Sequence, residues 1–138
     1  MPMNRRTAVA ALATLPAVMA QARSHEEESK PMYGLIGKIR CVPGKRDALI
    51  DILASGTAAM PGCLSYVIAH DVAEPDALWV TEVWDSQGSH RASLSLPAVQ
   101  AAIGRGRALI AGFGARIETR PVGGAGPGMA PQPAAPPA

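Results

Sequence analysis

A glutamate, a tryptophan and a histidine fall within one short stretch of the chain, Ala77 to Pro97, which reads ALWVTEVWDSQGSHRASLSLP. Glu82 and Trp84 stand two apart at the end of a segment that alternates like a strand, and His90 follows on helical spacing. Histidine is the natural base at neutral pH, since its ordinary pKa is ~6.5. Glu82 is a charge on an apolar strand face, a costly position unless paired, and Arg40, Arg91 and Lys38 are candidate partners. Tyr66 could donate a hydrogen bond to a bound oxyanion. Ser93 and Leu94 share the helical face of His90, while Trp79, Trp84 and Phe113 offer flat apolar surfaces to an aromatic ligand. Trp79 and Trp84 have opposite parity, so they cannot line one side of a sheet together. A strand delivering Glu82 and Trp84 to the mouth of a helix that carries His90 makes this stretch the chain's best candidate for chemistry. Each also has a plainer use. Glu82 can tie its strand to a helix or a second subunit, Trp84 can pack a core, His90 can sit in solvent, and Tyr66 can face a dimer interface.

The elements that must position them follow from periodicity. Leu78, Val80, Glu82 and Trp84 take one face of a strand and Trp79, Thr81, Val83 and Asp85 the other. Both faces carry apolar bulk, which predicts a central strand covered on both sides. Asp85 or Ser86 caps the helix that follows, over Ser86 to Ser95. Upstream, Tyr33 to Cys41 alternates as a strand and Val42-Pro43-Gly44 turns. A helix from about Lys45 to Met60 carries the stripe Ala48, Leu49, Ile52, Leu53, Ala59 and Met60, and Pro61-Gly62 stops it. Leu64 to Asp71 forms a hairpin with the Ala77 strand through Ala73-Glu74-Pro75-Asp76. Pro97 opens another helix, with Val99, Ala102, Ile103, Gly106 and Leu109 on one face. A last strand runs from about Ala115 to Arg120. The order is an α+β, ferredoxin-like βαββαβ sandwich with helices on one sheet face. Its bare face and short core predict a homodimer joined face to face.

The 138 residues hold 13 basic and 11 acidic side chains. Arg5-Arg6, the apolar run Ala8 to Ala20 and Ala20-Gln21-Ala22 read as an export signal over residues 1–22, of twin-arginine or Sec type. That places the mature protein in the periplasm or outside the cell. The run is too short for a membrane span, which needs ~20 apolar residues. Without Arg5 and Arg6 the charges balance, leaving no electrostatic case for nucleic acid. Residues 23–31, with His25 and three glutamates, read as a charged linker. Residues 32–122 make the fold, and 123–138 is a Pro/Gly/Ala tail too poor in apolar groups to order itself. Three scattered His and two Cys lack metal-ligand spacing. Export favours a disulfide, yet Cys41 ends one strand and Cys63 begins the next parallel one. A strand length exceeds the ~7 Å that a bridge tolerates, so no intrachain disulfide is expected.

Four pieces, Leu35 through Pro43-Gly44-Lys45, Gly62-Cys63-Leu64-Ser65-Tyr66, Glu82-Val83-Trp84-Asp85-Ser86 and Leu94 to Pro97, resemble the antibiotic biosynthesis monooxygenase domain and its quinol monooxygenase-like members. The similarity spans about Tyr33 to Val122. It implies a dimeric α+β barrel that oxygenates phenols or quinols with neither metal nor flavin. Dioxygen is a poor two-electron oxidant of closed-shell organics, so such an enzyme must turn its substrate into the electron donor by deprotonating it. That needs a base, an apolar pocket and donors for the oxyanion. His90, Glu82 and Tyr66 are the catalytic candidates; Trp84, Trp79, Ser93, Leu94 and Phe113 are the substrate-binding ones. In several relatives a His follows the strand-end Trp by nine positions, where this chain has Ser93. The haem-degrading branch uses an Asn, a Trp and a His where this chain has Gly37, Ser93 and Ile103, which disfavours haem breakdown. The expected activity is that of an exported, cofactor-independent monooxygenase acting on a quinol or phenol with O2. The alternative is a non-catalytic barrel that binds small molecules or serves a stress response, since fold does not fix function.

Overall fold

The computed structural model describes residues 30–126. The expected export signal, most of the linker including His25, and most of the tail lie outside the described residues. Strand β1 spans Tyr33–Cys41, helix α1 Arg46–Gly56, β2 Cys63–His70 and β3 Ala77–Trp84. They are followed by α2 over Gln87–Ser93, α3 over Pro97–Gly106, a 3-10 turn over Arg107–Leu109, and β4 over Ile110–Thr119. The sheet order is β2-β3-β1-β4, and every neighbouring pair is antiparallel. This is the ferredoxin-like α+β arrangement expected from the alternation pattern.

Local chemistry sets the boundaries. The Ser86 side chain accepts the Ser89 N–H at 3.2 Å and caps α2, while Pro97 occupies the first turn of α3. Helix α1 stops at Gly56, four residues short of the expected Met60. Thr57 caps it, its hydroxyl and its N–H both donating to the Leu53 carbonyl, at 2.6 and 3.1 Å. Gly56 is also where α1 comes nearest α3: a Cβ there would lie 2.4 Å from that of Ala102. Strand β4 begins at Ile110, five residues before the expected Ala115. Gly112 and Gly114 depress its strand signal, and Gly114 has a structural cause. The Lys38 side chain crosses it so closely that a Cβ would meet it at 3.0 Å. Leu109, expected on α3, instead packs against the core from the 3-10 turn.

The core lies between the helices and the inner sheet face, around Leu49, Leu78, Val80 and Cys41. Burying each large aliphatic side chain contributes ~1.5–3 kcal/mol. Strand β3 is central, as expected, but within one chain only its helix side is covered. On the outer face the Trp79 Nε1–H donates to Asp71 Oδ2 at 2.8 Å. The Lys38 ammonium lies 3.2 Å from Asp71 and 2.7 Å from Glu74, and Arg40 reaches Glu74 at 3.1 Å. Beyond this cluster the outer face exposes Val67 (52%) and Ile117 (49%). Both thiols are free. Cys63 is level with Trp84 and hence with Tyr33, at the opposite end of β1 from Cys41. Eight strand residues separate the two levels by about 26 Å.

Candidate active site

A cavity of about 370 Å³ opens between the inner sheet face and the helices. Leu35, Ile39 and Val80 supply apolar surface from the sheet, and Leu53, Val99 and Ile103 from the helices. Period-two alternation along β3 that buries Leu78 and Val80 also turns Glu82 inward, opposite Tyr66 on β2 and Leu35 on β1. Its side chain is 12% exposed, and burial pushes its pKa up to about 7 against the opposing pull of the Trp84 indole and the Arg116 guanidinium. The Ser86 cap directs α2 so that His90 enters the same space, its Nε2 3.9 Å from Glu82 Oε2. The imidazole centroid lies 5.2 Å from that of Tyr33, and the ring meets Trp84 edge-on at 5.5 Å. Burial, aided by Arg116, lowers the His90 pKa below its ordinary value. Both members of the pair are therefore biased towards their uncharged forms.

Tyr66 lines the cavity with its phenol pKa pushed up by burial, then by Glu82 and Cys63, so it stays a hydrogen-bond donor at neutral pH. Arg116 on β4 also lines the cavity and lies 3.4 Å from Glu118, which accepts the Tyr33 hydroxyl at 2.9 Å. A hydroxyl oxygen placed ~2.8 Å from both Glu82 Oε2 and His90 Nε2 makes a reasonable triangle with their 3.9 Å separation. One substrate hydroxyl can thus touch both groups at once.

Residues 32–105 match the family model for antibiotic biosynthesis monooxygenases (ABM). The chain belongs to the ABM family. A protein of Chloroflexus aurantiacus J-10-fl, named for that activity, has 65% identity and a TM-score of 0.68; the match covers 69% of this chain and 97% of the other. A Caulobacter crescentus CB15 protein named likewise has 22% identity, a TM-score of 0.54, and coverage of 70% and 94%. A Pseudomonas aeruginosa protein has 20% identity, a TM-score of 0.59, and coverage of 67% and 96%. These last two share the fold. No match was found among curated proteins.

The ABM cavity brings together Glu82, His90, Tyr66, Ser93, Leu94 and Phe113. Ser93 is buried and its hydroxyl donates to the His90 carbonyl at 2.6 Å, so it serves as wall and helix brace. Leu94 and Phe113 are exposed, flanking the opening. Two expected substrate-binding residues are elsewhere. Trp79 faces outward by parity and is held by Asp71 and Lys38. Trp84 is wholly buried behind His90 and is not part of the cavity lining. The proposed partners of Glu82 are corrected as well. Lys38 and Arg40 are engaged by Asp71 and Glu74 on the outer face, Arg91 is exposed on α2, and the nearest basic side chain is His90. His70 is at the surface, 3.5 Å from Asp47.

Sequence reasoning missed Arg116 and Tyr33. Arg116 lay inside the expected strand, but the apolar Ala115 and Ile117 have the opposite parity, so alternation pointed Arg116 and Glu118 to solvent rather than to the inner face they occupy. No group of three His, Cys, Asp or Glu side chains able to hold a metal ion occurs among the described residues. None of their helices is long and apolar enough to cross a membrane.

Proposed function

We propose that this ABM protein is an exported monooxygenase that oxidises a phenol or quinol with dioxygen, drawing on the substrate's own electrons in place of a metal or flavin. The observation that carries this reading is the Glu82–His90 pair, 3.9 Å apart in a mainly apolar cavity of a size suited to a small aromatic molecule. Of the two, Glu82 has the higher pKa, so the substrate proton goes to the Glu82 carboxylate. Uncharged His90 then has an N–H to donate to the phenolate, and Tyr66 and Arg116 supply further stabilisation of its charge.

The electron-rich phenolate reduces O2. For a phenol with an open ring position, one oxygen atom enters the ring and the other leaves as water, giving a quinone. The substrate loses four electrons and O2 gains four, so no outside reductant is needed. Burial of the base supports selectivity for acidic hydroxyls, which lose a proton to a group of pKa about 7 more readily than alcohols do.

The working form in this proposal is a dimer joined through the outer sheet face, where Val67 and Ile117 stand exposed on a small domain. The basic start and apolar run before residue 22 support export. The test is oxygen uptake by mature, chelator-treated protein over a panel of hydroquinones and phenols. Uptake above autoxidation, reduced at least tenfold in Glu82→Gln and His90→Ala, is expected. Uptake no faster than autoxidation across the panel would overturn the enzymatic reading in favour of a binding protein.

A further inference from the structure

Trp84 Nε1 is the one buried side-chain nitrogen or oxygen without a hydrogen-bond partner among the described residues. The residue is wholly shielded from solvent, and buried polar groups are partnered in the large majority of cases. Around this orphan N–H stand the groups of the candidate site. Glu82 is two residues earlier on the same face of β3, and the N–H lies near enough to its carboxyl to favour ionisation without meeting hydrogen-bond geometry. His90 touches both, edge-on to the Trp84 ring at 5.5 Å and 3.9 Å from the Glu82 carboxyl.

We propose that Trp84 is a positioning residue for the oxygenation proposed above: its indole N–H receives the Glu82 carboxylate when Glu82 is ionised and releases it when the carboxyl takes up a proton. The arrangement seen here, an indole N–H left unpaired beside the Glu82 carboxyl, matches the acid form. In the ionised form one Glu82 oxygen accepts from the indole. The other oxygen then faces the cavity, where it accepts the substrate hydroxyl proton. Only that proton changes place, from the substrate oxygen to Glu82. An indole N–H suits the task because it can only donate, and so favours the charged carboxylate.

The other charged and titratable groups facing Glu82 are few. Tyr66 and Cys63 approach from β2, His90 from α2 and Arg116 from β4, with Glu118 and Tyr33 beyond them; β1 contributes the apolar Leu35. Burial raises Tyr66 and Cys63, which keeps them uncharged near neutrality. His90 titrates below its ordinary value, on the acid side of Glu82.

The chain has two tryptophans, so a nitrogen-15 correlation spectrum shows two indole signals. Trp79 is an internal control, because its N–H is held by Asp71, whose carboxyl stays ionised far below neutral pH. The Trp84 signal is expected to move downfield with a midpoint at about pH 7, and to stay flat in Glu82→Gln. A flat Trp84 signal in the wild type, or the same titration in Glu82→Gln, would overturn the proposal. Trp84→Phe keeps a ring and removes the donor. It is expected to raise the midpoint of the pH–rate profile by about one pH unit, a tenfold loss of rate well below the midpoint. An unchanged midpoint in folded Trp84→Phe would also overturn it. Should that variant not fold, the spectra of wild type and Glu82→Gln decide alone. Those spectra need no turnover, so a failure of oxygen uptake and a failure of the indole titration are separate results.

Discussion

Glu82 is held where its uncharged form is favoured, and folding therefore makes it bind a proton more tightly than its ordinary value of 4.5 would allow. With the folded pKa raised to about 7, the stabilising contribution is complete at acidic pH and is lost as pH rises through about 7. Glu82→Gln removes the need for that proton. It should raise stability at pH 8 by up to about 3 kcal/mol and change it little at pH 4, as thermal melts at the two pH values would register. The same group gives the activity its pH dependence. As a base Glu82 must be ionised, so kcat/KM is expected to rise tenfold per pH unit below about 7 and level off above it, and Glu82→Gln should lose that limb. His90→Ala should keep the limb and lower the plateau. Glu82 and His90 were legible in the sequence because the period changes from strand to helix between them. The electrostatic surroundings of Glu82 were not. Lys38 and Arg40 have the right charge, but their parity on β1 turns them to the outer face. Arg116 has the right charge and reaches the cavity, but the apolar Ala115 and Ile117 beside it made the opposite face of β4 read as the buried one.

At the scale of elements, alternating residues defined β1 from end to end, and the hairpin and the cap of α2 were readable from turn and capping chemistry. What alternation and composition could not register were close approaches between elements. Gly56 ends α1 and lets it pack against Ala102 of α3, and Gly114 lets the Lys38 side chain cross β4. Gly56→Ala is a sharp test of this packing. In an open helix interior the change would gain ~1 kcal/mol, yet here the new methyl meets Ala102 Cβ at 2.4 Å. A net destabilisation of ~1–3 kcal/mol is expected, read as a lower denaturation midpoint at unchanged slope. A stabilised Gly56→Ala variant would mean that α1 and α3 separate without cost. The two helices roof the cavity through Leu53, Val99 and Ile103, so this contact also sets the space available to a substrate.

The folded domain has one sheet face roofed by helices and one bearing Val67, Ile117 and a charged cluster around Trp79. Self-association through that second face is expected to give a dimer in sedimentation, and Val67→Asp with Ile117→Asp should give monomers that remain folded. The bare face was foreseeable from the order of elements, since both connections between parallel strands put their helices on one side. Which residues would stand exposed on it depended on the register of β4, which the sequence did not reveal. In the function proposed, the Glu82–His90 cavity lets a phenol or quinol react with O2 unaided. Its most direct measurement is single turnover of the chelator-treated protein under oxygen-18 gas, with products weighed by mass spectrometry. One labelled atom in the organic product, with the label lost in Glu82→Gln, is the predicted result. An unlabelled product, or no conversion beyond autoxidation, would contradict it.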